Sequence, residues 1–276
     1  MKKLTIKEVQ NRSLDILSHI DKICRTNDLK YSIFYGSLIG VERHSGFIPW
    51  DDDIDIVMLR DDYDKLMKLL SNTSSKFKLL SFETTDNYRY PFAKLVDTAT
   101  TFKSKQLFGY EDPSFGVFVD IFPIDGIPNT KEEQAKFQRE CEIYRMNMMD
   151  TLGLAYARSY SFIKSFGKLI IKFVHHKKLK KIGDDNYWRT KYSEATRRYN
   201  INHSNYCGYL EFININWGVF PTEWFKEFET VEFEGRKFLA IKNRNDFLRL
   251  RYGNFMEMPP IEERVTHHPY SFYLKD

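Results

Sequence analysis

The run Pro49-Trp50-Asp51-Asp52-Asp53-Ile54-Asp55-Ile56-Val57-Met58 sets four carboxylates at the point where an apolar strand begins, and no other stretch limits the fold as tightly. Proline fixes its own φ and pushes its neighbour toward extended geometry, so regular structure is expected just after Pro49. From Asp53 the chain alternates acid and aliphatic before turning apolar. In a strand this pattern puts Asp53 and Asp55 on one face, roughly 7 Å apart, and sends Ile54 and Ile56 into a core. Two carboxylates that close repel unless a cation or a proton lies between them, and hard oxygen ligands suit Mg²⁺ or Mn²⁺. A solvated strand edge is the plainer reading; against it, Ile54, Ile56 and Val57 bury the strand while its acids stay together. A calcium loop accommodates Asp51, Asp53 and Asp55 and then fails, because Ile56 stands where glycine is needed and Asp62 where glutamate is needed.

Two further pieces join this strand. Upstream, Leu29 to Tyr35 reads as a strand running into Gly36-Ser37 and a short helix from Leu38 to Arg43, and a glycine-serine turn at a helix start offers bare N–H groups and a hydroxyl to a phosphate. Downstream, Phe115-Gly116-Val117-Phe118-Val119-Asp120-Ile121-Phe122-Pro123 is apolar enough to be covered on both faces. Asp120 in its middle is costly unless it binds metal or pairs with a lysine or arginine, and both readings stand. Phosphate holder plus metal-holding acids is the minimal apparatus of phosphoryl or nucleotidyl transfer, where catalysis is mostly positioning and charge neutralisation.

These residues carry a resemblance. Gly36-Ser37, Asp53 with Asp55, and a later single acid in an apolar strand look like the signature of the nucleotidyltransferase, polymerase-beta-like superfamily. More narrowly, Tyr35-Gly36-Ser37-Leu38-Ile39-Gly40, Arg43-His44, Gly46-Phe47-Ile48-Pro49-Trp50-Asp51-Asp52-Asp53-Ile54-Asp55 and Asp62-Tyr63 resemble the LicD family of phosphocholine transferases, tightly over 31–126 and more loosely beyond. The resemblance implies an α+β fold, a mixed sheet core flanked by helices with a helical insertion and a C-terminal α/β extension. It implies transfer of phosphocholine from CDP-choline to a sugar hydroxyl of a lipid-linked glycan, of teichoic acid or lipopolysaccharide type, with CMP leaving. Mg²⁺ or Mn²⁺ would sit on Asp53, Asp55 and Asp120, one of these or Asp51 would take the acceptor proton, and Gly36, Ser37, Lys94 and one of the His267-His268 pair, here His267, would contact substrate. Ser45 departs from the family, which often has a basic residue there. Another CDP-alcohol (ribitol or glycerol phosphate), nucleotidyl transfer, and a non-enzymatic nucleotide-binding protein are the alternatives, in that order.

Residues 1–150 are expected to form the catalytic core, 151–200 a basic aromatic helical segment, and 201–276 strands and a helix completing the substrate site. Thr5-Ile6-Lys7-Glu8 is a capping box ahead of a first amphipathic helix. Asp61 and Asp62 read as acids at a helix start, Asp125 as a turn residue, Tyr206 to Ile215 as a strand, and 231–241 as a hairpin turning at Gly235. The whole chain carries +4, yet 151–183 holds eight lysines and arginines and no acid, so the charge belongs to one segment. Within it Phe162, Ile163, Phe166, Leu169, Ile170, Phe173 and Val174 form a stripe beside Lys164, Lys168 and Lys172. Such a helix packs on its own domain with a solvated lysine face, or lies against an anionic membrane; the resemblance favours membrane contact through 160–181. No nucleic-acid-binding motif accompanies the lysines. Neither a membrane-spanning run nor an apolar leader follows Met1-Lys2-Lys3, and Cys24, Cys141 and Cys207 form no pair motif, so a cytosolic chain with reduced thiols is expected. A quaternary ammonium is recognised by aromatic faces, for which Trp50, Trp188, Trp217, Trp224 and Tyr209 are candidates.

Overall fold

The computed structural model describes residues 1–72, 76–209, 218–266 and 268–276. The chain folds into an α+β structure whose elements run β1 (Lys2–Lys3), α1 (Ile6–Thr26), β2 (Ser32–Ile33), α2 (Tyr35–His44), β3 (Asp55–Leu59), α3 (Arg60–Ser71), β4 (Phe77–Leu80), β5 (Ala93–Asp97), β6 (Thr100–Ser104) and β7 (Phe118–Ile127). There follow α4 (Lys131–Thr151), α5 (Phe162–Ile182), α6 (Asp185–Thr196), β8 (Tyr206–Gly208), β9 (Phe220–Pro221), β10 (Phe228–Phe233), β11 (Arg236–Ile241), α7 (Arg244–Tyr252) and β12 (Tyr270–Leu274).

The central sheet has the order β2-β3-β7-β5-β4, with β8 and β9 added along the far half of β7. Strand β7 is buried along its whole length and organises the sheet. Its first half pairs antiparallel with β5 (Val96↔Phe118 to Ala93↔Ile121) and its last three residues with β8. Pro123, which has no N–H to donate, falls in the gap between these two partners, where a proline costs a buried strand least. On its other edge β7 runs parallel to β3. Arg60 at the head of α3 reaches back to β7, its Nε and Nη2 bonding both oxygens of Asp125 at 2.7 and 2.5 Å. Asp125 is thus a buried ion-pair partner and not a turn residue, because β8 extends β7 past Asp125.

Helix α1 begins with the complete capping box at Thr5 and Glu8 and buries Val9, Leu14, Ile16, Leu17, Ile20 and Cys24 beneath the sheet. The strands β1, β12 and β6 form a separate three-stranded sheet that ties the two chain ends together. The β10–β11 hairpin turns through Glu234 and Gly235, both at positive φ, and Glu234 accepts the Phe47 N–H, which fastens the loop before the acidic run. One apolar core extends from Leu4 to Phe272; a second lies among α4, α5 and α6 around Phe137, Leu179, Trp188 and Tyr192. The expected strand at Leu29 to Tyr35 is reduced to β2, since Tyr35 already starts α2, and that expected from 206 is described as β8, with 210–217 outside the described residues. No helix among the described residues is long and apolar enough to cross a membrane.

Candidate active site

The register of three neighbouring strands builds the site. Asp55 on β3 is the parallel partner of Asp120 on β7, and Lys94 on β5 is the antiparallel partner of the same Asp120. Directly paired residues project to the same face of a sheet, so two acids and a lysine form one row. Asp53 lies two residues before β3; the strand begins at Asp55 and not at Asp53, yet the two acids still converge. Carboxylate oxygens of Asp53, Asp55 and Asp120 all lie within 4.8 Å of one another. A second group of the same tightness, Asp52, Asp53 and His268, shares Asp53.

Electrostatics follow from this crowding. Burial, then the charges of Asp53, Asp120 and Asp51, push the Asp55 carboxyl well above its ordinary value. Burial and Asp53 push Asp51 up to about 9. Asp120 is also raised by burial, but Lys94, with Nζ 2.5 Å from Oδ1, holds it at about 6. His268 is opposed by burial, yet Asp53 and a 2.9 Å bond from Nδ1 to Asp52 outweigh it and push the imidazole up to about 9; its Nε2 is 3.7 Å from Asp53. Three hard oxygen donors that repel one another this strongly are the donor chemistry of a divalent cation, and the residues fit such an ion.

The acids form one wall of a cavity of about 620 Å³. Gly36 lines it at the start of α2, where the first N–H groups of a helix have no intrahelical partner; a Cβ there would come within 3.1 Å of Asp51 Oδ2. Tyr35 beside it has φ 48°, a left-handed conformation uncommon for tyrosine, and its ring meets Phe122 edge-on at 5.6 Å. From beneath, Gln10 of α1 donates to the carbonyl of Asp51 at 2.8 Å and fixes the acidic loop.

Several sequence expectations are altered here. Ser37 is buried behind the cavity, and its Oγ accepts the Asp55 N–H at 2.9 Å, so the hydroxyl oxygen positions the strand that carries Asp55. Lys94, expected to contact substrate, is buried in β5: it is 2% exposed, bonded to Asp120, with its ammonium 3.7 Å from the Phe118 ring centre and 5.0 Å from those of Tyr90 and Phe92. Its charge serves Asp120 before any phosphate. His267 lies outside the described residues, and His268 is the member of the pair seen in the site. Of the aromatic candidates, Trp50 packs under Arg264, Trp188 sits in the second core, Trp224 stacks on Phe220, and Tyr209 backs the cavity against Phe122; Trp217 is outside the described residues. The aromatic wall is instead Tyr35, Tyr90, Phe92, Phe122, Tyr252 and Tyr270.

The sequence reading also missed Arg89. Its Nη2 meets Glu111 at 2.5 Å, and Tyr90 and Tyr270 hydroxyls converge on the same carboxylate at 2.9 and 2.7 Å. Among the described residues its Nε and Nη1 have no hydrogen-bond partner, although the side chain is buried and lines the cavity. The loop Tyr88-Arg89-Tyr90-Pro91 contained the signal, an arginine between aromatics ahead of a buried strand, but only the fold turns it toward the acids.

Comparison with known proteins agrees with this geometry. The LicD/FKTN/FKRP nucleotidyltransferase domain profile matches residues 28–150, the part that contributes Gly36, the acidic run, Arg89, Lys94 and Asp120. The lipopolysaccharide cholinephosphotransferase LicD of Haemophilus influenzae is 30% identical over 281 residues, covering 99% of this chain and 100% of that protein. Uncharacterised proteins of Rickettsia typhi and Rickettsia prowazekii are 32% and 30% identical over 91 and 97 residues, covering 33% and 34% of this chain and 28% and 35% of those proteins. A match running end to end, with the acids and their supporting strands inside the matched domain, places the chain in the LicD family.

Proposed function

We propose that the protein transfers phosphocholine from CDP-choline to a sugar hydroxyl of a lipid-linked cell-surface glycan, releasing CMP. The observation that carries the chemistry is the meeting of Asp53, Asp55 and Asp120 on the wall of an aromatic cavity, in a chain related over its whole length to a lipopolysaccharide cholinephosphotransferase. The acceptor oxygen bonds to the choline-bearing phosphorus, the phosphoanhydride bond breaks, and the bridging oxygen leaves with CMP.

Asp53, Asp55 and Asp120 would hold a divalent cation, Mg²⁺ or Mn²⁺, which would offset charge on the diphosphate and its leaving oxygen. Arg89, fixed on one side by Glu111, offers its unpartnered Nε and Nη1 to a phosphate oxygen. The N–H groups at the start of α2 face the same space, which Gly36 keeps open. Asp51, on the cavity wall beside the three acids, would accept the proton of the acceptor hydroxyl in its ionised form, which a cation bound on those acids would favour over the protonated one. His268, held between Asp52 and Asp53, orients Asp53. The aromatic wall of Tyr90, Phe92, Phe122 and Tyr252 suits a quaternary ammonium, which makes no N–H hydrogen bond and is attracted to ring faces.

The test is incubation of purified protein and divalent cation with CDP-choline, CDP-ribitol or CDP-glycerol and a glycan acceptor, followed by product mass. CMP release with gain of phosphocholine on the acceptor is expected. Gain of CMP would assign nucleotidyl transfer, and turnover confined to ribitol or glycerol donors would remove choline from the reading.

A further inference from the structure

Helix α5 is built inside out. The side it turns to the protein is partly polar: Ser165, His176 and Leu179 are buried, His176 Nδ1 bonds the Asp150 carbonyl at 2.7 Å, and Lys172 reaches the Asp150 carboxylate at 3.1 Å. The side it turns outward is apolar. Phe162 is 77%, Ile163 82% and Ile171 80% exposed, and Phe166, Ile170, Phe173 and Val174 are exposed with them. At roughly 100° per residue, 162, 163, 166, 170, 173 and 174 fall within one outward half of the helix. The same half continues at its C-terminal end with Lys177, Lys178 and Lys181, all exposed. Among the described residues nothing covers this face, and no acid pairs with those three lysines.

An exposed apolar face of this extent marks a surface that binds something. The occupant is indicated by charge: residues 151–183 contain eight basic side chains and no carboxylate, and the acid that reaches the helix, Asp150, is buried and meets it at Lys172 and His175, away from the apolar face. A helix with large apolar side chains on one half, lysines beside them and no acids matches the interfacial region of an anionic bilayer, where the rings and aliphatic groups enter the acyl boundary and the ammonium groups meet lipid phosphates. The helix is anchored to the body by the Asp150 contacts and by Tyr156 stacked on His176 at 4.6 Å, so it presents this face as a fixed platform.

We infer that α5 docks the protein flat on an anionic lipid bilayer through Phe162, Ile163, Phe166, Ile170 and Val174, with Lys177, Lys178 and Lys181 on headgroup phosphates. The docked helix also fixes where the cavity opens. Ser161 caps α5, and Arg158 and Tyr160, immediately before it, line the cavity that holds the acids. Docking therefore brings the cavity rim to the lipid surface, which selects acceptors anchored in that surface; this last step rests on the transferase reading.

The experiment is co-sedimentation of the full chain with phosphatidylcholine vesicles, with and without phosphatidylglycerol. Wild type is expected to pellet with the anionic vesicles, less so with phosphatidylcholine alone. The combined Ile163→Asp, Ile170→Asp, Val174→Asp variant is expected to lose roughly tenfold or more of that binding with an unchanged melting temperature, because these side chains contact solvent in the free protein. The combined Lys177→Gln, Lys178→Gln, Lys181→Gln variant is expected to lose the preference for anionic lipid. The stabilisation of each variant by CDP-choline with Mg²⁺, read by thermal shift on the same samples, reports separately on the transferase reading. Wild type that stays in the supernatant with anionic vesicles, or an aspartate variant that pellets like wild type, overturns the assignment. A wild-type dimer that the aspartate variant splits, without vesicle binding, overturns it in favour of a second copy of the chain.

Discussion

At the scale of single residues, the site is a concentration of like charge made tolerable by a few placed cations. Asp55 is pushed well above its ordinary value by burial and by three neighbouring acids, so its charged form opposes folding. Asp53→Ala and Asp55→Ala are each expected to lower phosphocholine transfer by about a thousandfold or more, several kcal/mol of lost charge stabilisation, while the cation-free melting temperature of Asp55→Ala stays level or rises. Near-wild-type turnover in either variant, measured as CMP release, would remove the acids from the reaction. Arg89 calls for a gentler change, since deleting it would strand the buried Glu111 carboxylate. Arg89→Lys keeps the charge and loses the fork; it is expected to raise the KM for the CDP-donor about tenfold with kcat less affected, as steady-state kinetics would show. An unchanged KM would mean that the unpartnered nitrogens do not meet the donor.

At the scale of elements, β7 does most of the positioning. Its register against β3 and β5 sets Asp120 between Asp55 and Lys94, and its last residues carry Asp125 to Arg60 at the start of α3. A buried bidentate pair broken from one side leaves an uncompensated charge, so Asp125→Ala is expected to destabilise the protein by about 3–5 kcal/mol in denaturant unfolding. Activity per folded molecule should persist, because Asp125 does not line the cavity. A loss below about 1 kcal/mol would show that the pair is mostly solvated. Helix α2 works through its first turn, where Gly36 leaves room for Asp51 and Ser37 secures the backbone of Asp55. The short β12 delivers His268 and Tyr270 from the far end of the chain, a contribution no local pattern announces.

At the scale of the whole molecule, the central sheet, the start of α2, the end of α7 and residues 268–270 close around one acidic cavity, and its protons bear on stability. Asp51, Asp55, Asp120 and His268 all have folded values raised above their ordinary ones, so each binds its proton more tightly in the folded chain. Their stabilising contribution is therefore full below the ordinary values and lost as pH rises through the folded ones, between about 4 and about 9. In chelator the melting temperature is expected to fall from about pH 5 to about pH 9, and added Mg²⁺ to raise it more at about pH 8 than at about pH 6, since cation and protons compete for the same oxygens. A flat profile in chelator with no response to Mg²⁺ would refute both the crowding and the cation site. Much of this was legible beforehand: the acid-aliphatic alternation after Pro49, the apolar strand around Asp120, the capping box at Thr5 and the turn at Gly235 are local patterns, fixed by the two-residue period of strands and by backbone sterics. Pairing across the fold was not legible, because it depends on which buried charges arrive at the same depth. Only the tertiary structure joined Lys94 to Asp120, Arg60 to Asp125 and His268 to Asp52, turned Arg89 and the tyrosines into the cavity, and left the apolar half of α5 facing outward. Sequence determined that the acids exist at strand spacing; burial, which only the assembled sheets and helices impose, decided which cations answer them.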